Sequence, residues 1–263
     1  MDVTFERIDS DGDLSAGGLL SSRRFLVTGG ARGIGAAIVA NLAAHGADGA
    51  VIDMHLEGAE PSPWPAIAAD VTDEARMLAA TRSLIDEAGP FDGLVAAAGI
   101  VPTWHSPSDI DLEDFDRTMS VNVRGFVVAL KSLVPSMPAG STVVAIGSLN
   151  SWRGDPHLLS YAASKHAVVG VVRSAALALG PKGIRVNAVA PGPIATAALL
   201  GRIDARTAAT GRARDEALQA SADLTALGTL ASTTDVANAV LFLSSHLSSS
   251  TTGHLLPVDS GLL

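Results

Sequence analysis

"RFLVTGGARGIG", residues 24–35, sets a short apolar run rich in β-formers, "RFLVT", directly against a turn of glycines. The small and apolar residues that follow, "GIGAAIVANLAAHGA" from Gly33 on, suit a helix opening at about Gly33, so the stretch reads strand, turn, helix. Gly29, Gly33 and Gly35 each have a steric reason to be there. A missing Cβ permits the tight turn, lets backbone approach a pyrophosphate and lets helix and strand pack closely. The helix N-terminus adds free N–H groups and the positive end of a dipole.

Outward from this unit the alternation continues. Strands are predicted at 50–54, 66–70, 92–99, 141–148, 184–191 and 254–258, with helices at 73–89, 112–134, 159–179 and 233–244. Pro61, Pro63 and Pro65 make the second connection a loop. Short, continuously apolar strands separated by helices predict a parallel sheet covered on both faces. The fold class is therefore α/β: a single-domain Rossmann fold, a doubly wound parallel sheet of about seven strands with helices on both faces. Ligands in such folds bind beyond the C-terminal strand ends.

Composition narrows the chemistry. The chain of 263 residues is 48% hydrophobic, enough for one domain with a large core. Without cysteine there is no disulfide, zinc-thiolate site or thiol nucleophile, and no metal is expected. A net charge of −9 argues against a nucleic-acid partner, which would need clustered Lys and Arg. Residues 1–22 carry Asp2, Glu6, Asp9, Asp11 and Asp13 against Arg7 alone and read as an acidic, disordered tail, leaving 23–263 as the domain. No secretory signal or membrane span is evident, so a cytoplasmic location is expected.

Asp53 ends the second strand 18 residues after Gly35, near the position where an acid grips ribose hydroxyls. A carboxylate there favours NAD and repels the 2′-phosphate of NADP. Arg32, inside the glycine loop, either faces such a phosphate or pairs with Asp53. The plainer alternative is an ordinary glycine turn with a solvent-facing aspartate.

Tyr161, the only tyrosine, and Lys165 lie four apart on a predicted helix and so project from nearly the same face. A phenol is a poor base at neutral pH, but a nearby ammonium favours phenolate and makes a usable acid/base. Oxidising an alcohol also needs a hydride acceptor, and the glycine loop predicts one. Ser148, at the end of the fifth strand, is placed to hold a substrate oxygen beside the phenol; by itself it would read as a turn serine.

From about Arg23 to Leu263 the chain resembles the short-chain dehydrogenase/reductase family in its compact form. "TGGARGIG" matches the TGxxxGxG loop, "YAASK" matches YxxxK, Ser148 precedes Tyr161 by 13 residues, and "SVNVRGF" supplies Asn122. The resemblance implies Tyr161 as acid/base, Ser148 orienting substrate, Lys165 holding the nicotinamide ribose, and Asn122 supporting a water in the proton relay. It also implies cofactor contacts at Gly29, Ala31, Arg32, Gly33, Ile34, Gly35, Asp53, Asp70, Val71, Ala97 and Gly99. "PGPIAT", with Pro191, Gly192, Ile194 and Thr196, matches the nicotinamide-side loop.

Two departures stand out. "AAAG", Ala96–Gly99, replaces the family's NNAG, whose asparagine braces the sheet, and "VDSG" places Ser260 where VDGG is common. The pocket for a small alcohol or ketone is expected to be walled by Trp104, Leu149, Asn150, Trp152, His157 and Leu158, with His105 nearby. A substrate lid is expected over 196–224; its Arg202, Arg206, Arg212 and Arg214 are interleaved with Asp204, Asp215 and Glu216 and read as a solvated mixed-charge helix. The apolar girth of helix 159–179, together with the resemblance, implies a homotetramer or homodimer. The resulting reading is an NAD-dependent oxidoreductase interconverting secondary alcohol and ketone. Its rivals are an NADP-dependent carbonyl or 3-oxoacyl reductase and a non-catalytic dinucleotide-binding regulatory protein.

Overall fold

Seven strands form one parallel sheet: β1 Arg24–Thr28, β2 Asp48–Asp53, β3 Ala66–Ala68, β4 Gly93–Ala96, β5 Thr142–Ile146, β6 Arg185–Pro191 and β7 Leu255–Val258. The structure, a computed structural model, describes residues 18–196, 200 and 214–262. Strand order is β3-β2-β1-β4-β5-β6-β7, so the winding direction reverses between β1 and β4. Loops after β1 and β4 diverge there and open a crevice at the C-terminal edge.

The continuous apolar runs follow from burial on both faces. Along β1, Leu26 points into a core shared with α2 (Glu74–Ala88), α4 (Gly125–Leu133) and α5 (Leu159–Leu179). Phe25 and Val27 point into the opposite core, against α1 (Gly33–Ala44) and α7 (Thr233–Ser244). Leu94 and Val95, and Val143 and Val144, divide in the same way. Ile38 and Leu42, one turn apart on α1, are fully buried and contribute about 1.5–3 kcal/mol each.

Helix α5 is long and apolar enough to cross a membrane by length and composition. Here Val168, Val172 and Ala176 pack it onto the sheet.

Two expectations change. The helix expected over 112–134 is divided: α3 (Leu112–Met119) passes through a π-helical turn, Ser120–Arg124, into α4, and the Gly125 N–H reaches the Ser120 carbonyl. The folded body also begins before Arg23. Leu20 is fully buried beside α1, and its N–H bonds the His45 carbonyl, so residues 18–22 belong to the domain despite their tail-like composition. Residues 1–17 lie outside the described residues. So does most of the expected lid, including Arg202, Arg206 and Arg212; of that segment α6 (Arg214–Ala222) is described.

Ser260, where the family commonly has glycine, adopts φ +57, the left-handed region where a Cβ is disfavoured. A glycine at this place is thereby explained. Ser260→Gly is expected to stabilise the protein by about 0.5–1 kcal/mol, read as a higher midpoint in urea denaturation; an unchanged or lower midpoint would show that the serine relieves its own strain.

Candidate active site

One cleft of about 1560 Å³ runs along the C-terminal edge of the sheet. At one end lies the glycine loop. A Cβ at Gly35 would sit 2.0 Å from the Gly29 carbonyl oxygen, and one at Gly29 would sit 2.6 Å from Ala98 Cα, so neither position admits a side chain without opening the turn. The loop is bare backbone facing the cleft, the cradle that a pyrophosphate requires.

Asp53, at the end of β2, lines the same end. Its Oδ2 accepts the Ala31 N–H at 3.1 Å and its Oδ1 the His55 N–H at 3.2 Å. Arg32 does not pair with it. The guanidinium instead donates to the His55 and Glu57 carbonyls, each at 3.0 Å. Asp70 also borders the cleft, with Oδ1 held by the Thr72 N–H and hydroxyl at 2.8 Å each.

The centre of the cleft is built by β5 and α5. Ser148 follows β5, and its Oγ accepts the Asn150 N–H at 3.2 Å while the Ser151 Oγ accepts the Ser148 N–H at 3.1 Å. These bonds fix the serine and engage an acceptor lone pair, leaving its single O–H to donate into the cleft. Tyr161 and Lys165, one turn apart on α5, both line the cleft. Lys165 Nζ lies 5.6 Å from the centre of the Tyr161 ring and donates to the Ile146 carbonyl at 2.7 Å. The lysine is 6% exposed and has no carboxylate partner among the described residues, so desolvation lowers its pKa from 10.5 to about 8. Gly99 completes this centre: a Cβ there would stand 3.2 Å from Asn122 Oδ1 and 3.6 Å from Lys165 Nζ.

The glycines, Arg32, Ile34, Asp53, Asp70, Val71, Ala97, Gly99, Ser148, Tyr161, Lys165, Pro191, Gly192, Ile194 and Thr196 all border this one cleft, as do Trp104, Leu149, Asn150 and Leu158. Four anticipated residues do not. Ala31 is buried, its N–H turned to Asp53. Asn122 is buried behind the wall, with Oδ1 accepting the Ile100 N–H and Nδ2 donating to the Ile100 carbonyl and Ser164 Oγ. That side chain braces the "AAAG" turn after β4, taking the kind of role for which the family's asparagines were expected. Trp152 is exposed at the end of a short 3-10 turn, and His157 packs in a separate small depression with His105, whose N–H bonds the His157 carbonyl. Sequence proximity to Tyr161 does not bring them inside: Trp152 and His157 lie on exposed turns of this segment, while Asp155 and Leu158 beside them face the cleft.

His55, Glu60, Arg117, Asp155 and Leu224 border the cleft without having been anticipated. His55 and Glu60 belong to the loop between β2 and β3, whose sequence has no period to read.

Residues 29–263 match the family model described as "Enoyl-(Acyl carrier protein) reductase". The chain is 36% identical over 255 residues to short-chain dehydrogenase reductase 4 of Arabidopsis thaliana, covering 92% of this chain and 83% of that protein. The chain belongs to the short-chain dehydrogenase/reductase family. Another family member, trans-4-hydroxycyclohexanecarboxylate dehydrogenase of Sinomonas cyclohexanicum, is 32% identical over 253 residues, 90% of this chain and 91% of that protein. Among solved structures, carveol dehydrogenase of Mycobacterium avium in complex with NAD superposes with a TM-score of 0.85 at 27% identity, over 93% of this chain and 98% of that one. As a short-chain dehydrogenase/reductase, the protein is an NAD(P)-dependent oxidoreductase acting on a small molecule, and the bare glycine loop, Asp53 and buried Lys165 fit a nicotinamide dinucleotide along the cleft.

Proposed function

We propose that the protein interconverts a secondary alcohol and a ketone with NAD as cofactor, in the cytoplasm. The observation that carries this reading is the convergence of Ser148, Tyr161 and buried Lys165 on the cleft that also holds the glycine loop and Asp53. When bound, the nicotinamide supplies or takes up the hydride at the substrate carbon. Tyr161 gives or receives the proton at the substrate oxygen, and the Ser148 O–H donates to that same oxygen, fixing the carbon it is attached to. Lys165, a buried cation one turn from the phenol, favours its ionised form in a site where water does not screen the charge. Trp104, Leu149, Leu158 and Leu224 supply an apolar surround for the carbon frame, in keeping with relatives named for carveol and hydroxycyclohexanecarboxylate.

NAD rather than NADP is favoured by two facts at the adenosine end: Asp53 stands in the cleft, and the Nη2 of Arg32 is held by two backbone carbonyls. Asp53→Ala is expected to weaken NAD⁺ binding about tenfold while narrowing the gap to NADP⁺, measured by titration calorimetry, since it removes a charge-assisted ribose contact. Unchanged NAD⁺ affinity would refute the assignment. A homodimer or homotetramer is proposed from the exposed Val127 of α4 and Leu159 and Leu177 of α5, apolar residues left on the outside of the two helices. Turnover on a panel of secondary alcohols, followed at the reduced-nicotinamide absorbance, tests the reaction class; binding of cofactor without turnover on any alcohol or ketone would count against it.

A further inference from the structure

The loop of residues 54–65 is tied across the glycine loop at several points. The Glu60 N–H bonds the Ala31 carbonyl at 2.8 Å, and the Glu60 Oε1 accepts the Gly33 N–H at 2.7 Å. Arg32 ties the same loop down through the His55 and Glu57 carbonyls. At its far end the loop is anchored by Trp64, 5% exposed, and by Pro65, whose carbonyl accepts the Val51 N–H at 2.9 Å. Pro61, Pro63 and Pro65 stiffen the span between. Glu60 is therefore held in place by its own backbone as well as its side chain.

The N–H groups of Ala31 and Gly33 are thus both taken by carboxylates, Asp53 and Glu60. The start of a helix attracts anions; here the chain's own carboxylate meets the first N–H of α1, and the only guanidinium of the glycine loop is turned to carbonyls. A 2′-phosphate arriving at the adenosine end would meet two negative charges and find these donors occupied.

We propose that Glu60 is a second determinant of cofactor choice, acting with Asp53 to exclude a 2′-phosphate from the adenosine end of the cleft. The proposal rests on the NAD reading above. Glu60 is solvent-exposed, so its effect is that of a partly screened charge and falls with added salt.

The decisive quantity is the ratio of NADP⁺ to NAD⁺ dissociation constants, obtained by calorimetry on the full chain, or by displacement of bound NADH where the NADP⁺ signal is small. Glu60→Gln removes the charge while keeping an oxygen for the Gly33 N–H. It is expected to lower the ratio by about five- to tenfold at low salt, and by less at 0.5 M salt. Glu60→Ala should lower it similarly, and Asp53→Ala combined with Glu60→Gln should lower it further than either alone. A purely structural role would weaken both cofactors together and leave the ratio unchanged; an unchanged ratio in both Glu60 variants overturns the proposal. A wild-type ratio below one is a different result: it overturns the NAD reading itself and the proposal with it.

Discussion

Tyr161→Phe lowers kcat by about a thousandfold, within the 10²–10⁴ range that a positioned proton donor contributes. Phenylalanine keeps the ring that stands 5.6 Å from Lys165 Nζ and removes only the phenol oxygen proposed to exchange the proton. NADH binding is therefore expected to persist, and the loss should fall on kcat rather than on cofactor affinity. Steady-state turnover beside NADH binding separates the two. A Tyr161→Phe protein with more than a tenth of wild-type kcat would remove the phenol from the mechanism, and one that no longer binds NADH would show that the hydroxyl shapes the cleft instead.

Lys165→Met has opposite effects on activity and stability. Loss of the ammonium beside the phenol and the cofactor is expected to cost at least a hundredfold in turnover. Yet the lysine is buried with no countercharge at its ammonium among the described residues, and lowering its pKa from 10.5 to about 8 corresponds to about 3 kcal/mol of unfavourable burial of the charged form. Methionine removes that cost and forfeits the hydrogen bond to the Ile146 carbonyl, worth about 1 kcal/mol, leaving a net gain of about 2 kcal/mol at pH 7. The pH dependence follows from which state binds the proton. Between pH 8 and 10.5 the unfolded chain keeps the Lys165 proton and the folded one releases it, so this residue makes wild-type stability rise with pH through that window; below pH 8 both states are protonated and the cost is constant. The variant's advantage should therefore be full at pH 7 and shrink towards pH 10.5. Denaturant unfolding of both proteins at pH 7 and pH 9.5 measures it. Equal stabilities at pH 7 would mean that the ammonium is better solvated than its burial implies.

The two ends of the cleft were not equally legible in the amino-acid sequence. The seven strands and the principal helices lie within a few residues of their predicted places because each carries a strong period and a clear stop: "RFLVT" ends at a glycine turn, and α7 begins at Ser232, whose hydroxyl accepts the Asp235 N–H. Tyr161 and Lys165 share the cleft because helical spacing dictates it. Contacts that depend on the path of an irregular loop could not be read. The bond between Glu60 and Gly33 spans 27 residues and depends on the path that residues 54–59 take from the end of β2 back to the glycine loop. Leu20 was hidden among acids and glycines, and no local pattern shows that one leucine of that segment plugs the core. Trp152 and His157 were misplaced for the converse reason: nearness along the chain stood in for direction, and these two side chains lie on exposed turns of a segment whose Leu149, Asn150, Asp155 and Leu158 face the cleft.

The order of the strands has a consequence for how the molecule is made. Of the seven strands, β1 is the first to leave the ribosome and takes an interior place in the sheet, third from one edge. Every later strand then adds at a free edge, β2 and β3 on one side and β4 to β7 on the other, so no strand has to insert between two already paired. The nascent chain can join β1, β2, β3 and β4 once Ala96 has emerged, while Tyr161 is still to emerge. The strand order thus allows the half of the cleft that contains the glycine loop, Asp53 and Asp70 to assemble before the half that contains Ser148, Tyr161 and Lys165 has emerged.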